Sequence, residues 1–135
     1  MTVDIETLLK ESKTIAVVGL SPHPAKASFG VARFLMSKGY TLIPVNPNYP
    51  EILGLKSYPA LLDIPEDIRV DVADVFRKSE ETPEIARDAV RIKAGCLWLQ
   101  LGIENEEAGQ IARRGGLQFV ENRCMKIEYM RYFSS

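Results

Sequence analysis

The sequence predicts an α/β fold, a doubly wound, mainly parallel sheet of five to six strands with helices on both faces. Short apolar segments of strand length alternate with amphipathic segments of helix length along the whole chain. No repeat, linker or low-complexity segment divides its 135 residues, a length typical of one domain. Strands that alternate with helices form parallel sheets with right-handed crossovers. Since nothing divides this alternation, we expect a single domain over residues 1–135.

The elements predicted in the first half follow hydrophobic periodicity and end at glycine or proline. They are a helix near residues 4–11, a strand at 15–18 that ends before Gly19, a helix from the N-cap Ser28 to Gly39, and a strand at 40–45. Pro44 is unusual for a central strand, because it cannot donate a hydrogen bond to the ladder. Turn residues fill positions 46–50, and a short edge strand is expected near 56–58.

The second half repeats the alternation. It contains a strand at 70–76 that includes Asp71 and Asp74, a helix that begins at Thr82 and Pro83, a strand at 96–100, a helix that includes Ala108 and Ala112, a strand at 117–120, and a helix at 125–133. Asp71 stands at the start of its strand, and we expect Asp74 to bond backbone or a helix N-terminus. Trp98 is expected in the core.

Composition excludes several classes of function. Seventeen basic and eighteen acidic residues leave a net charge of −1, which is not typical of a nucleic-acid or membrane-surface protein. No apolar run reaches the roughly 18 residues that a membrane span needs, and the N-terminus lacks the pattern of a secretion signal, so we expect a cytoplasmic protein. Two cysteines, Cys96 and Cys124, are too few for a disulfide framework or a structural zinc site, and no metal is expected.

Ligands of open α/β sheets bind beyond the carboxyl ends of the strands, where the strand order reverses. Four segments should converge at that edge: residues 19–21, 45–47, 76–79 and 101–103. Gly19 has no Cβ, and the helix that follows it offers unpaired N–H groups and a positive dipole end. This junction predicts a site for a phosphorylated nucleotide.

The junction departs from the dinucleotide-binding pattern in two places. Only the first glycine of G-x-G-x-x-G is present, and Val45-Asn46-Pro47 stands where an acidic residue should bind the ribose hydroxyls. Both departures argue against a nucleotide-dependent oxidoreductase. An uncharged Asn46 tolerates a phosphate on the ribose, and the cations Lys26, Arg77 and Lys78 are candidates for phosphate contacts.

Five segments together resemble a known family: residues 15–22, Val45-Asn46-Pro47, Asp74-Val-Phe-Arg77, residues 98–102, and residues 123–128. They are similar to the small single-domain CoA-binding proteins of bacteria and archaea. That family in turn resembles the N-terminal CoA-binding domain of the succinyl-CoA synthetase α subunit, as its free-standing counterpart. The resemblance covers residues 10–130 approximately.

The resemblance implies a Rossmann-like domain that binds coenzyme A or an acyl-CoA at the edge described above. The residues it places at the ligand are Gly19, Ser21, Lys26, Ser28, Val45, Asn46, Pro47, Phe76, Arg77, Ser79, Gln100, Leu101 and Gly102. Lys26 stands where the family commonly has an arginine. Lysine retains the positive charge but not the bidentate hydrogen-bonding geometry of arginine.

The resemblance favours a binding protein without catalysis of its own. The synthetase reaction needs a phosphohistidine on a separate domain and an ATP-grasp subunit, and neither fits in this chain. The alternatives are a subunit or relative of an acyl-CoA ligase, a nucleotide-dependent oxidoreductase, and a degenerate domain that binds other proteins. We expect CoA as the ligand and a monomer or weak homodimer.

Two further residues are candidates for chemistry. His23 is the only histidine, and without an adjacent carboxylate it is interpreted as a solvated loop residue. Cys124 lies at a predicted helix start between Arg123 and Lys126, and such surroundings favour the reactive thiolate. We hypothesise that Cys124 forms a mixed disulfide with the thiol of CoA, the alternative being a small buried packing residue.

Overall fold

The computed structural model describes residues 2–133, so Met1, Ser134 and Ser135 of the predicted 1–135 domain lie outside the described residues. The helices are α1 (Ile5–Glu11), α2 (Ala27–Ser37), α3 (Thr82–Arg91), α4 (Glu106–Arg114) and α5 (Met125–Phe133). The strands are β1 (Thr14–Val18), β2 (Thr41–Val45), β3 (Glu51–Ile52), β4 (Leu55–Lys56), β5 (Val72–Val75), β6 (Cys96–Leu99) and β7 (Gln118–Val120). Short 3₁₀ turns lie at Leu61–Asp63 and Ser79–Glu81.

Five of the strands form one parallel sheet in the order β2-β1-β5-β6-β7. After β2 the chain crosses to the other side of β1, so the strand order reverses between β1 and β5. This doubly wound arrangement confirms the predicted Rossmann-like fold class. It also places the topological switch point between the ends of β1 and β5, beside Gly19 and Phe76.

Two apolar layers hold helices against the sheet. Helices α1, α2 and α5 pack on the face that carries Val17 and Trp98, with Leu35 and Met125 fully buried in the layer. Helices α3 and α4 pack on the opposite face, where Ala86 and Ala112 allow close approach. The indole of Trp98 is fully buried and its Nε1 donates to the carbonyl of Arg123, which fixes the segment before α5.

Pro44 is accommodated because β2 is the edge strand of the large sheet. The carbonyl of Val45 faces β1 and accepts from the N–H of Gly19 at 2.8 Å, whereas the carbonyl of Pro44 faces outward and accepts from Tyr58 at 3.0 Å. The N–H that proline lacks therefore belongs to the outer edge, where its absence breaks no bond to β1.

The start of α2 differs from the prediction. Ser28 is not the N-cap; Lys26 occupies that position, and the helix begins at Ala27. The Ser28 hydroxyl instead accepts a hydrogen bond from the N–H of Ser21 at 3.0 Å, across the loop. Because the helix begins one residue earlier, Ser28 lies inside its first turn, where its side chain closes the loop and does not cap the helix.

The segment after β2 also differs from the prediction. Residues 51–56 form an antiparallel hairpin, β3 and β4, whose turn residues Leu53 and Gly54 have φ values of 56° and 74°. Only Tyr58 of the predicted edge strand at 56–58 pairs with the large sheet, through a parallel bridge to Val45.

Asp74 has none of the partners expected from the sequence. Its side chain is fully buried in β5, between Val17 of β1 and Trp98 of β6 in register, and neither carboxyl oxygen has a hydrogen-bond partner among residues 2–133. Burial raises the pKa of this carboxyl well above its usual range. Asp71, at the opposite edge from the switch point, accepts from the N–H groups of Lys13 and Thr14.

Within residues 2–133, no helix is long and apolar enough to cross a membrane. The same residues contain no cluster of three or more His, Cys, Asp or Glu side chains able to hold a metal ion.

Candidate functional site

Two clefts open at the carboxyl edge of the sheet, one on each side of the switch point. The first, of about 320 Å³, is here called the acidic cleft and is lined by Val18, Gly19, Val45, Pro47, Pro59, Ala60, Leu61, Arg77, Glu80, Glu81, Glu84, Ile85 and Asp88. The second, of about 370 Å³, is here called the thiol cleft and is lined by Ala27, Val31, Phe76, Arg77, Gln100, Leu101, Ile103, Cys124 and Ile127. Arg77 contributes to both.

Gly19 allows close packing of the protein itself at the switch point. Its φ is +85°, and a Cβ at this position would lie 2.7 Å from the carbonyl oxygen of Phe76 and 2.9 Å from Cδ of Arg77. The space that a side chain would occupy is therefore filled by the segment that follows β5. Backbone conformation and this contact require glycine here, and the close approach of a ligand to Gly19 stays a prediction.

Arg77 stands between the two clefts in a pair with Glu81. Its Nε and Nη2 donate to the same carboxylate oxygen, at 3.1 and 2.5 Å. The hydrogen bond from Arg77 holds the pKa of Glu81 below its usual range. Each side chain is 37% exposed, so the pair lies at the surface where a ligand anion can compete for the guanidinium.

The acidic cleft repels anions from its interior. Glu80, Glu84 and Asp88 follow one another at intervals of four residues along α3 and the turn before it, and Glu81 adds a fourth carboxylate. Burial raises the pKa of Asp88, and the neighbouring Glu84 adds to that effect. This wall fits the uncharged part of a nucleotide better than its phosphates.

The N-terminus of α2 lies beside the thiol cleft, because Ala27 is both the first residue of the helix and part of the cleft wall. The first N–H groups of a helix have no intrahelical acceptors and attract anions. Lys26 is exposed at the N-cap, and no side chain of residues 2–133 caps the helix with a hydrogen bond. The Ser21 hydroxyl accepts from the N–H of His23 at 3.1 Å, which shapes the loop before the helix.

Asn46 is buried and joins two of the loops at this edge. Its Nδ2 donates to the carbonyl of Leu20 at 2.9 Å, and its Oδ1 accepts from the N–H of Asn48 at 2.9 Å. The amide therefore ties the loop after β2 to the loop after β1. It thereby helps to hold Val45 and Pro47, which line the acidic cleft, in place.

Ser79 and Gly102 brace the loops on the other side. The carbonyl of Ser79 accepts from Nδ2 of Asn105 at 3.0 Å, which joins the loop after β5 to the start of α4. The N–H of Gly102, a residue with φ of +87°, donates to Oδ1 of Asn122 at 2.7 Å. These bonds fix the rim of the thiol cleft.

The predicted site residues fall into three groups, two that line a cleft and one that lines neither. The acidic cleft contains Gly19, Val45, Pro47 and Arg77; the thiol cleft contains Phe76, Arg77, Gln100 and Leu101; Ser21, Lys26, Ser28, Asn46, Ser79 and Gly102 line neither cleft. Sequence reasoning missed Ala27, Val31, Ile127 and the acidic wall from α3. The spacing of Glu80, Glu84 and Asp88 was a detectable signal, because residues four apart share one helix face.

Cys124 occupies the N-cap of α5, where its carbonyl accepts from the N–H of Glu128 at 2.9 Å. The cations beside it in sequence are engaged elsewhere. Arg123 lies 3.6 Å from a carboxylate oxygen of Glu128, and Nζ of Lys126 lies 5.4 Å from the ring centroid of Phe34. The surroundings of the thiol are therefore the helix terminus and the thiol cleft.

Comparisons with known proteins identify the family to which this chain is related. The family model described as a CoA binding domain matches residues 13–130. The chain is 38% identical over 126 residues to the Bacillus subtilis protein YneT, covering 93% of this chain and 92% of that protein. A solved structure of a protein from Pyrococcus horikoshii superposes with a TM-score of 0.92 at 41% identity, covering 97% of this chain and 91% of that one.

A longer relative is the ADP-forming acetate–CoA ligase I of Archaeoglobus fulgidus. The alignment is 33% identical over 125 positions, and it covers 84% of this chain and 18% of the ligase. The chain thus corresponds to a small part of that enzyme and to nearly the whole of the B. subtilis relative. On the family match and these similarities, the chain belongs to the CoA-binding domain family.

Proposed function

We propose that this protein binds coenzyme A or an acyl-CoA across the switch point, and that it does so without catalysis of its own. The observation that carries the proposal is the meeting of two clefts at Arg77, beside the N-terminus of α2, in a chain of the CoA-binding domain family. These two clefts and the cationic region between them fit a ligand with a polar group at one end, charged groups in the middle and a narrow arm at the other end.

The charges determine which part of the ligand goes where. The adenosine belongs in the acidic cleft, between Val45 and Pro47 and the wall of α3, because that wall repels phosphate. The diphosphate belongs outside it, at the loop from Gly19 to Ser21 and the N-terminus of α2, near Lys26. The pantetheine arm then enters the thiol cleft past Phe76 and Gln100.

Titration calorimetry with CoA tests this assignment. We expect Lys26→Ala to weaken CoA binding about five- to tenfold at low salt, because loss of one exposed cation near a phosphate costs roughly 1 kcal/mol. Lys10→Ala is the matched control, since Lys10 lies exposed on α1 by the opposite edge of the sheet and should leave Kd unchanged. Equal Kd values for CoA and dephospho-CoA would contradict a contribution from the ribose phosphate, and no binding to either would contradict the proposal.

The pair between Arg77 and Glu81 provides a second test. Glu81→Gln retains an acceptor but removes the charge that holds Arg77, so we expect CoA affinity to rise about three- to tenfold, less at high salt. Glu84→Gln is the control, because Glu84 lines the same cleft and makes no ion pair with Arg77. An equal gain in both variants would mean that only the net charge of the cleft matters.

A part in acyl-CoA ligation is the second candidate, favoured by the 33% identity to the acetate–CoA ligase. The chain spans 18% of that ligase, so ligation would require the remaining functions from other polypeptide segments. Co-purification of the tagged protein with an ATP-binding subunit, together with ADP-dependent acetyl-CoA turnover by the complex, would establish this function.

A further inference from the structure

The thiol cleft contains a buried polar group that the protein leaves unpaired on one side. Gln100 is only 5% exposed, and its Oε1 accepts from the N–H of Met125 at 3.1 Å, at the first turn of α5. Its Nε2 donates to no acceptor among residues 2–133. Unlike the unpaired carboxylate oxygens of Asp74 and Glu128, this nitrogen is not fully enclosed by protein. The amide N–H₂ of Gln100 is therefore a donor that reaches the thiol cleft.

Cys124 faces the same cleft from a fixed backbone. The N–H of Arg123 donates to Leu99 at 3.4 Å, the carbonyl of Arg123 accepts from Trp98 at 2.7 Å, and the N–H of Asn122 donates to Ile103 at 3.1 Å. These bonds hold the segment before α5 against the ends of β6 and its loop. Cys124, which is half-buried, therefore lines the same cleft as Gln100, and apart from these two residues and Arg77 the cleft walls are apolar.

We propose that Cys124 is a thiol–disulfide exchange site for a ligand whose extended arm carries amide groups and ends in a sulfur atom. The apolar walls fit a methylene chain, the Gln100 Nε2–H fits an amide carbonyl on it, and Cys124 receives its terminal sulfur. The identification of this ligand arm as the pantetheine arm of CoA rests on the proposed function. The exchange itself requires only the cleft, the donor and the thiol.

The chemistry is an exchange without net oxidation. The Cys124 thiol loses its proton to solvent, and the thiolate attacks one sulfur of a ligand disulfide. A bond forms between Sγ and that sulfur while the ligand S–S bond breaks, and the departing thiolate takes up a proton. A free thiol reverses the step and restores Cys124. The co-reactant is therefore a disulfide of the ligand, such as CoA disulfide.

Intact-mass analysis of the native protein tests the proposal with pantethine, the disulfide of pantetheine, and with glutathione disulfide. We expect one pantetheine adduct per chain, formed about tenfold faster than the glutathione adduct, a difference of about 1.4 kcal/mol in activation free energy. Cys124→Ser should abolish the adduct. Cys96→Ser should leave it, because Cys96 is fully buried and burial raises the pKa of its thiol.

A cleft-narrowing variant separates recognition from plain reactivity. Ala27 is exposed on the cleft wall, so Ala27→Phe should slow pantethine exchange at least about fivefold more than exchange with the small hydroxyethyl disulfide. No adduct at Cys124, equal rates for pantethine and glutathione disulfide, or an unaffected Ala27→Phe protein would each overturn the proposal. Pantethine exchange without CoA binding would refute the proposed function alone, and CoA binding without exchange would refute this inference alone.

Discussion

Asp74→Asn is expected to make the folded protein progressively more stable than the wild type as the pH rises from 4. The wild-type carboxyl is fully buried and finds no hydrogen-bond partner in the described part of the chain, and burial raises its pKa far above that of the unfolded chain. The folded state therefore holds a proton that the unfolded state releases, so wild-type stability falls with pH. The loss is up to about 1.4 kcal/mol per pH unit between the unfolded pKa, near 4, and the raised folded pKa.

Urea unfolding of both proteins at several pH values measures the difference in their free energies of unfolding. The contributions of the other titrating groups are the same in both proteins and cancel. Near pH 4 the two proteins should have similar stabilities, because the protonated carboxyl and the amide are both neutral and both unpaired. Asp71→Asn is the control of opposite sign. Asp71 is partly buried, but bonds from Thr14, Lys13 and Arg69 outweigh that burial and lower its pKa, so its contribution is lost as the pH falls. A stability gap that stays constant with pH would show that Asp74 is not protonated in the folded state.

The fold could be predicted because the alternation of apolar strands and amphipathic helices is spread over the whole chain. The convergence of the strand ends at one edge then follows from the topology of open α/β sheets, whereas the order of the five strands is known only from the structure. The hairpin at 51–56 escaped prediction, because two-residue strands have no periodicity and Leu53 gives no hint of its positive φ. Ser28 was assigned as an N-cap on its residue type, whereas a bond to Ser21 decides its position.

The site could be predicted only as far as the strand ends define it. Gly19, Arg77 and Gln100 follow buried strands and Val45 is the last residue of one, and topology brings all four to one edge. The other walls of both clefts come from helices, and the rotation of α3 and α5 about their axes depends on packing that the sequence pattern does not specify. The isolation of Asp74 could not be predicted either, because it depends on which neighbours fail to reach the carboxyl.

Gly19→Ala is expected to destabilise the protein by about 3 kcal/mol. A positive φ costs an L-residue roughly 1–2 kcal/mol, and overpacking a filled site costs a further 1–3 kcal/mol. Both costs apply, because the added Cβ would meet the Phe76 carbonyl at 2.7 Å and backbone there cannot rotate away as a side chain does. The displaced segment carries Arg77, so both clefts should be distorted in the molecules that still fold.

The matched control is Gly30→Ala, at an exposed position inside α2 where an added Cβ meets nothing within 4 Å. That variant should be more stable than the wild type by about 0.5–1 kcal/mol, from helix propensity alone. Urea or thermal unfolding of the pair measures both effects, and calorimetry on the folded fraction then reports CoA affinity. A Gly19→Ala protein as stable as the wild type, but impaired in CoA binding, would mean that the segment after β5 yields to the methyl group and that Gly19 serves the ligand directly.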